Sequence, residues 1–301
     1  MEACSGSNHW ARELQKLGHE VKLIAPQFVK PFVKGNKNDY NDAEAIAEAA
    51  QRPNMRFVPI KSLAQQDVQC LHRSRERIIK ARTSLVNQIR GLLAEYGIII
   101  ARNVSSVRSG LPLILEDAEN GLSPISRECF AELLDELHDL DRRAKMYEGK
   151  ILEINKQNEV CQRLNEILGV GPMIATAVFA AAGDGNDFQN GRHFSSWLGL
   201  VPRQHSSGGK STLLGISKRG NTYIRTLLIH GARAVLRVST NKKDRLSRWA
   251  QGLLERRGHN RACVALANKL ARVIWVIMAR NERYRVQLYE VKQLIRKKTN
   301  R

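Results

Sequence analysis

Two stretches of this sequence, from about Ser62 to Ala94 and from about Ser126 to Leu168, carry apolar residues at the three- and four-residue spacing of an α-helix. In the first they include Val68, Leu71, Ile78, Ile79, Leu85, Ile89, Leu92 and Leu93, with Arg and Lys on the opposite face. In the second they are Leu133, Leu134, Leu137, Leu140, Ile151 and Ile154. The intervening "ARNVSSVRSGLPLILEDAENGLSP" is punctuated by Gly, Pro and Ser and reads as a loop or short-element tip. Two such runs with one connection predict an antiparallel helical arm over 63–157, a dimerising coiled coil, or two ordinary core helices.

The first 62 residues have a different pattern. "HWARELQKLG" places Trp10, Leu14 and Leu17 at helical spacing and ends on Gly18. "HEVKLIAP" then alternates Val21, Leu23 and Ala25 and stops at Pro26, which predicts a strand. A stub of a second strand fits Met1 to Cys4. "NDYNDAEAIAEAAQ" is helical by propensity. Helix, strand and helix imply a sheet, yet one or two strands do not make a stable one. Asp39 and Asp42 stand three apart in the first turn of that helix. There they complement the helix dipole, or they hold a divalent cation between them.

The chain carries 49 Lys and Arg against 29 Asp and Glu, a formal charge of +20. From Gly191 to Arg301 the count is 25 basic against 4 acidic, so the excess belongs to the last third. Such asymmetry points to a polyanion, most simply nucleic acid. The five cysteines are far apart with no C-x-x-C pair, which disfavours zinc sites and disulfide frameworks. The N-terminus lacks an apolar signal segment, and "VIWVIMA" at 273–279 is too short to span a bilayer. A soluble, reduced, cytoplasmic protein fits these features.

Within 158–301 two turns carry candidate chemistry. "LGVGPMIATAVFAAAG" reads as helix, G-V-G-P turn, helix. In a helix-hairpin-helix, Gly169 and Gly171 would let backbone amides and a helix N-terminus approach a phosphate. A plain interhelical turn is the other reading. "RQHSSGGKS" reads as a loop. Lys210, Lys218, Arg219 and Arg225 cluster around its serines in sequence. A serine beside cations can attack a phosphodiester; a flexible linker or a phosphate nest explains the same composition. The tail "KQLIRKKTNR" suits contact with a nucleic-acid backbone.

Together these stretches resemble the Piv-type DEDD insertion-sequence transposases, a bridge-RNA-guided recombinase family, across essentially the whole chain. The carriers, in order, are K-x-D-x-x-D-A, G-V-G-P and G-L-x-P-x-x-x-S-S-G-G-K. The resemblance implies a partial RuvC/RNase H-like domain over 1–62, the helical arm, and a helical C-terminal transposase domain with a helix-hairpin-helix. It implies a Mg²⁺ site in which Glu2, Asp39 and Asp42 match three of four acids, and a nucleophilic serine at Ser207, with Ser206 as the alternative. It also implies DNA and a structured guide RNA as partners, in a dimer or tetramer. No residue matches the family's first acid, and the first strands of the sheet have no counterpart, so the sequence reads as an N-terminally truncated member, either because its start is placed too late or because it is a truncated element copy. A junction-resolving metal nuclease and an inactive nucleic-acid-binding remnant are the competing functions.

Overall fold

The computed structural model describes residues 1–36 and 38–285. Helix α1 (Ser7–Lys16) stops ahead of Gly18, whose φ of 88° is a left-handed value that costs glycine no Cβ clash. The strand expected over 19–26 shrinks to β1 (Leu23–Ile24), and both residues are buried, so the alternation through Val21 and Ala25 does not hold. Glu2 bridges to Ile24 in parallel, where the stub was expected. After α2 (Pro26–Val29) and α3 (Asp39–Ala50), β2 (Phe57–Val58) pairs antiparallel with β1, a strand the sequence did not announce. Ile24, Val29, Ala45 and Ala49 form the small core of this segment. It leaves Trp10 and Leu17 59% and 75% exposed, so of the apolar stripe read over 9–18 only Leu14 is partly covered.

Helix α4 (Leu63–Glu95) opens on a reciprocal capping box between Ser62 and Gln65. The tip is more ordered than its punctuation suggests. It holds a 13-residue helix, α5 (Val104–Glu116), capped by Asn103. Helix α6 (Pro124–Gln157) starts on a Ser123 cap with Pro124 at its first position. Arg75 Nε lies 3.0 Å from Glu148 Oε1, and Arg82 Nη1 lies 2.9 Å from Asp141 Oδ1. The partners descend in α6 as they rise in α4, so the two helices are antiparallel. Their core of Ile78, Leu85, Ile89, Phe130 and Leu137 lies within one chain. Arg108 of α5 joins Asp141; burial pushes that carboxyl up, but hydrogen bonds from Arg82 and Arg108 outweigh it and hold its pKa low.

The second long helix does not run on to Leu168. It breaks at Asn158, whose side chain accepts from the Cys161 N–H and starts α7 (Glu159–Asn165). An asparagine offers the backbone this alternative to continued helix. The rest is built from α8 (Pro172–Ala182), α9 (Gly191–Trp197), the hairpin β3 (Pro202–Ser207) and β4 (Lys210–Ile216), α10 (Thr222–Val238), α11 (Arg245–Arg257) and α12 (His259–Ala279). Helix α9 ends before Gly199 at φ 69°, not at Pro202, which opens β3. By length and composition α12 could cross a membrane. Its Leu266, Leu270, Ile274 and Ile277 are instead buried in the core shared with α8, α9 and α10. The basic tail at 292–301 lies outside the described residues. Among those described, the protein is mostly helical with two small sheets.

His72 fastens α4 to the C-terminal core. It is buried, with Nδ1 3.0 Å from Tyr223 Oη on α10 and Nε2 3.0 Å from Thr176 Oγ1 on α8. Thr176 donates its own proton to the Pro172 carbonyl, so it accepts from the imidazole. Burial, and then the Arg75 charge, lower the His72 pKa from 6.5 to about 4. The unfolded chain therefore binds a proton that the folded chain refuses between those values, and stability falls as pH drops through that window. The expected loss from this one group is ~2 kcal/mol between pH 7 and pH 5. Urea titrations at both pH values check it: His72→Gln should be less stable at pH 7 but should lose this part of the pH slope. An unchanged slope would refute the assignment.

Candidate nucleic-acid interface

The stretch expected to be a loop is a two-stranded antiparallel hairpin. Ser207 pairs with Lys210, Ser206 with Ser211, His205 with Thr212 and Gln204 with Leu213. Gly208 and Gly209 form the two-residue turn at φ 54° and 75°. Positive φ at both central positions gives a primed turn, whose twist matches the strands. Ser206, Ser207 and Lys210 are solvent-exposed. Alternation puts His205, Ser207, Lys210 and Thr212 on one face, and Gln204, Ser206, Ser211 and Leu213 on the other. The Ser206 hydroxyl accepts from Gln204 Nε2 at 2.7 Å. Among the described residues the Ser207 hydroxyl and the His205 imidazole have no hydrogen-bond partner.

The hairpin rises from a rigid base. Ser217 N–H donates to the Val201 carbonyl at 2.8 Å and Lys218 N–H to the Gly199 carbonyl at 3.1 Å. A Cβ on Gly220 would sit 1.8 Å from the Trp197 carbonyl oxygen, and one on Gly199 2.1 Å from that of Arg219. Arg225 locks the two turns together. Its guanidinium donates to the carbonyls of Leu198 (2.9 Å) and Arg219 (3.1 Å) and to Thr222 Oγ1 (3.0 Å). The residue is only 7% exposed, so Arg225 is a strut inside the base and does not face a polyanion. Lys218 and Arg219 are exposed. Lys218 holds φ 55°, an unusual value for a residue with a Cβ.

At the G-V-G-P turn the two glycines differ. Gly169, at φ 88°, is packed: a Cβ there would meet Val235 Cγ2 at 2.5 Å and the Gly231 carbonyl oxygen at 3.0 Å. Its role here is close approach to α10. Gly171 is open and precedes α8 with Pro172 at the first helical position. A cleft beside it is lined by Leu168, Gly169, Gly171, Lys242, Lys243 and Tyr284. The exposed Lys242 and Lys243 are contributors that sequence reading missed, because they lie some 70 positions away along the chain.

The acids lie in the first segment. Asp39 and Asp42 occupy the first turn of α3, where Asn38 caps the Asn41 N–H and the dipole favours negative charge. Asp39 is exposed; Asp42 and Glu2 are half-buried. All three are hard oxygen donors of the kind a divalent cation takes. Among the described residues, however, no group of three or more His, Cys, Asp and Glu side chains is gathered to hold a metal ion. The carboxylates as placed do not make a complete metal centre.

Residues 3–98 match a transposase family whose name includes DEDD and IS110, and residues 161–247 match the "Transposase IS116/IS110/IS902 family". The sequence is 53% identical over 285 residues to the "Transposase for insertion sequence element IS1111A" of Coxiella burnetii, covering 95% of this chain and 78% of that protein. The chain belongs to the IS110/IS116 family of insertion-sequence transposases. The transposase for element IS1328 of Yersinia enterocolitica is 41% identical over 281 residues, 92% of this chain and 82% of the relative. The "Pilin gene-inverting protein" of Moraxella bovis is 22% identical over 295 residues, 94% of this chain and 79% of the relative. Membership makes this an enzyme family acting in DNA transposition, and the DEDD domain suggests dependence on a divalent metal.

Proposed function

We propose that the chain acts as a DNA recombinase of its insertion sequence, with Ser207 forming a covalent link to a DNA phosphate. The observation that carries this reading is the hairpin: an exposed serine beside a tight Gly-Gly turn, directly across the ladder from Lys210. An ammonium there faces the charge that develops on phosphorus. Lys218 and Arg219 at the base, and Lys242 and Lys243 beside the Gly171 turn, supply further cations for the DNA backbone. Mg²⁺ is the metal this reading assigns to the family's acids. Glu2, Asp39 and Asp42 are not gathered among the described residues, so the roles assigned here are those of Ser207 and Lys210. A surplus of basic residues over base-reading motifs suits a protein that leaves sequence choice to a paired guide RNA. Exposed Ile99, Leu113 and Ile125 near the tip of the arm suit contact with a second copy. A cytoplasmic site of action follows from a DNA substrate.

The test uses the full chain with the DNA on which its gene lies, element ends and flanks included, and the RNA transcribed from it. Denaturing recovery should give a covalent protein–DNA adduct mapping to the peptide that contains Ser207. Cleavage in Mg²⁺ without any adduct would replace this reading with a metal-nuclease one. Salt-sensitive binding without cleavage would mark a non-enzymatic nucleic-acid-binding protein.

A further inference from the structure

The hairpin carries one chemical group that the proposed function has not used. We infer that His205 is the general base that activates Ser207, while Lys210 remains a cation that stabilises the transition state. This rests on the reading of Ser207 as the nucleophile. His205 and Ser207 are two apart on β3 and so project from the same face of the ladder. Lys210 stands directly opposite Ser207, and Thr212 directly opposite His205. Across the ladder Ser207 and Lys210, and His205 and Thr212, have Cβ atoms about 4.5–5.5 Å apart, while His205 and Ser207, two residues apart on one strand, are separated by roughly 6.6 Å and meet through the length of the imidazole side chain. The register is pinned at the turn by Gly208 and Gly209. A slip of one residue would send Ser207 to the Gln204 face.

The chemistry assigns the roles. A serine hydroxyl is a weak nucleophile until a neighbouring base takes its proton. Lysine as an ammonium has three donors and no acceptor, so Lys210 cannot do this. Neutral imidazole can, and histidine is the side chain suited to exchanging a proton near neutral pH. Ser206 has no imidazole on its face. Its neighbours there are Gln204, which donates to it, and Ser211.

In the step itself, the Ser207 proton passes to His205 as Oγ bonds to phosphorus. The opposite P–O bond breaks, and the sugar oxygen leaves with the bonding pair and takes a proton from solvent. The imidazolium returns its proton to solvent, so the serine phosphodiester replaces the DNA phosphodiester with no net change of charge. The charged groups of the hairpin are Arg203, where the ladder register shifts, and Lys210 at the turn.

The decisive experiment reads serine reactivity without needing the DNA target. The full-length protein is treated with an alkyl fluorophosphonate, in which attack by Oγ forms a P–O bond and expels fluoride. Labelling of Ser207 and Ser206 is followed by mass spectrometry as a function of pH. Ser207 should label at least ~10²-fold faster than Ser206, with a rate that falls on the acidic side as a single base titrates. His205→Ala should lower the Ser207 rate by ~10²-fold and abolish that acidic limb, and added imidazole should restore part of it. Lys210→Gln should slow labelling at every pH without changing the profile's shape. Equal labelling of both serines, or a limb that survives in His205→Ala, overturns the inference. If the DNA adduct needs Ser207 but labelling ignores His205, the recombinase reading stands and this one falls. If labelling needs His205 but no DNA adduct forms, the reverse holds.

Discussion

Ser207→Ala is expected to lower formation of the covalent DNA adduct by ~10³-fold or more, because loss of a nucleophile leaves only binding and electrostatic assistance. Ser206→Ala is expected to retain most of it. The two serines are neighbours in sequence but not in chemistry. Ser207 shares a face with Lys210 and has no hydrogen-bond partner among the described residues, whereas Ser206 faces the other way and accepts from Gln204. Both are exposed, so neither change should move stability by more than about 0.5 kcal/mol. Adduct yield and the thermal midpoint, measured together on both variants, separate chemistry from folding. A Ser207→Ala protein that still forms the adduct would remove Ser207 from the reaction. Loss in Ser206→Ala alone would transfer the role to the opposite face.

What could be read in the sequence followed the strength of the local signal. The arm was legible because its apolar spacing persists through many turns in Leu63–Glu95 and Pro124–Gln157. One capping asparagine, Asn158, was enough to split the second run, and such a cap is a single-residue choice that periodicity averages away. The hairpin was missed for the opposite reason. All its β3 residues are exposed, so no apolar alternation marks the strand, and serine and glycine imitate a linker. The Gly-Gly pair was the usable sign, since two such residues between extended runs make a primed turn. Arg225 looked like one more cation in a basic cluster. Only the fold reveals that the carbonyls of Leu198 and Arg219 converge on it. The spacing of Asp39 and Asp42 fitted a dipole-complementing turn and a metal ligand pair equally well. The described structure supplies the cap but no third ligand grouped with them.

Gly220→Ala is expected to cost about 3 kcal/mol or more, and to lower the midpoint of the C-terminal core by roughly 6–12 °C. Two terms add. Gly220 holds φ 79°, where a Cβ carries a penalty of about 1–2 kcal/mol. The added carbon would also stand 1.8 Å from the Trp197 carbonyl oxygen, a backbone atom that no rotamer change can move aside. Relief requires the 217–221 turn to retreat from the end of α9. That retreat would pull the Arg219 carbonyl away from Arg225 and loosen the bond from Lys218 to Gly199. Gly208→Ala is the matched control. Its φ of 54° is also left-handed, but nothing lies within 4 Å of the new Cβ, so only the conformational term of about 1–2 kcal/mol remains. Because the base orients the hairpin, Gly220→Ala should also reduce adduct formation while leaving Ser207, Lys210 and their register untouched. Calorimetry on both variants decides the point. If Gly220→Ala melts no lower than Gly208→Ala, the close packing of the two turns is not what holds the hairpin in place.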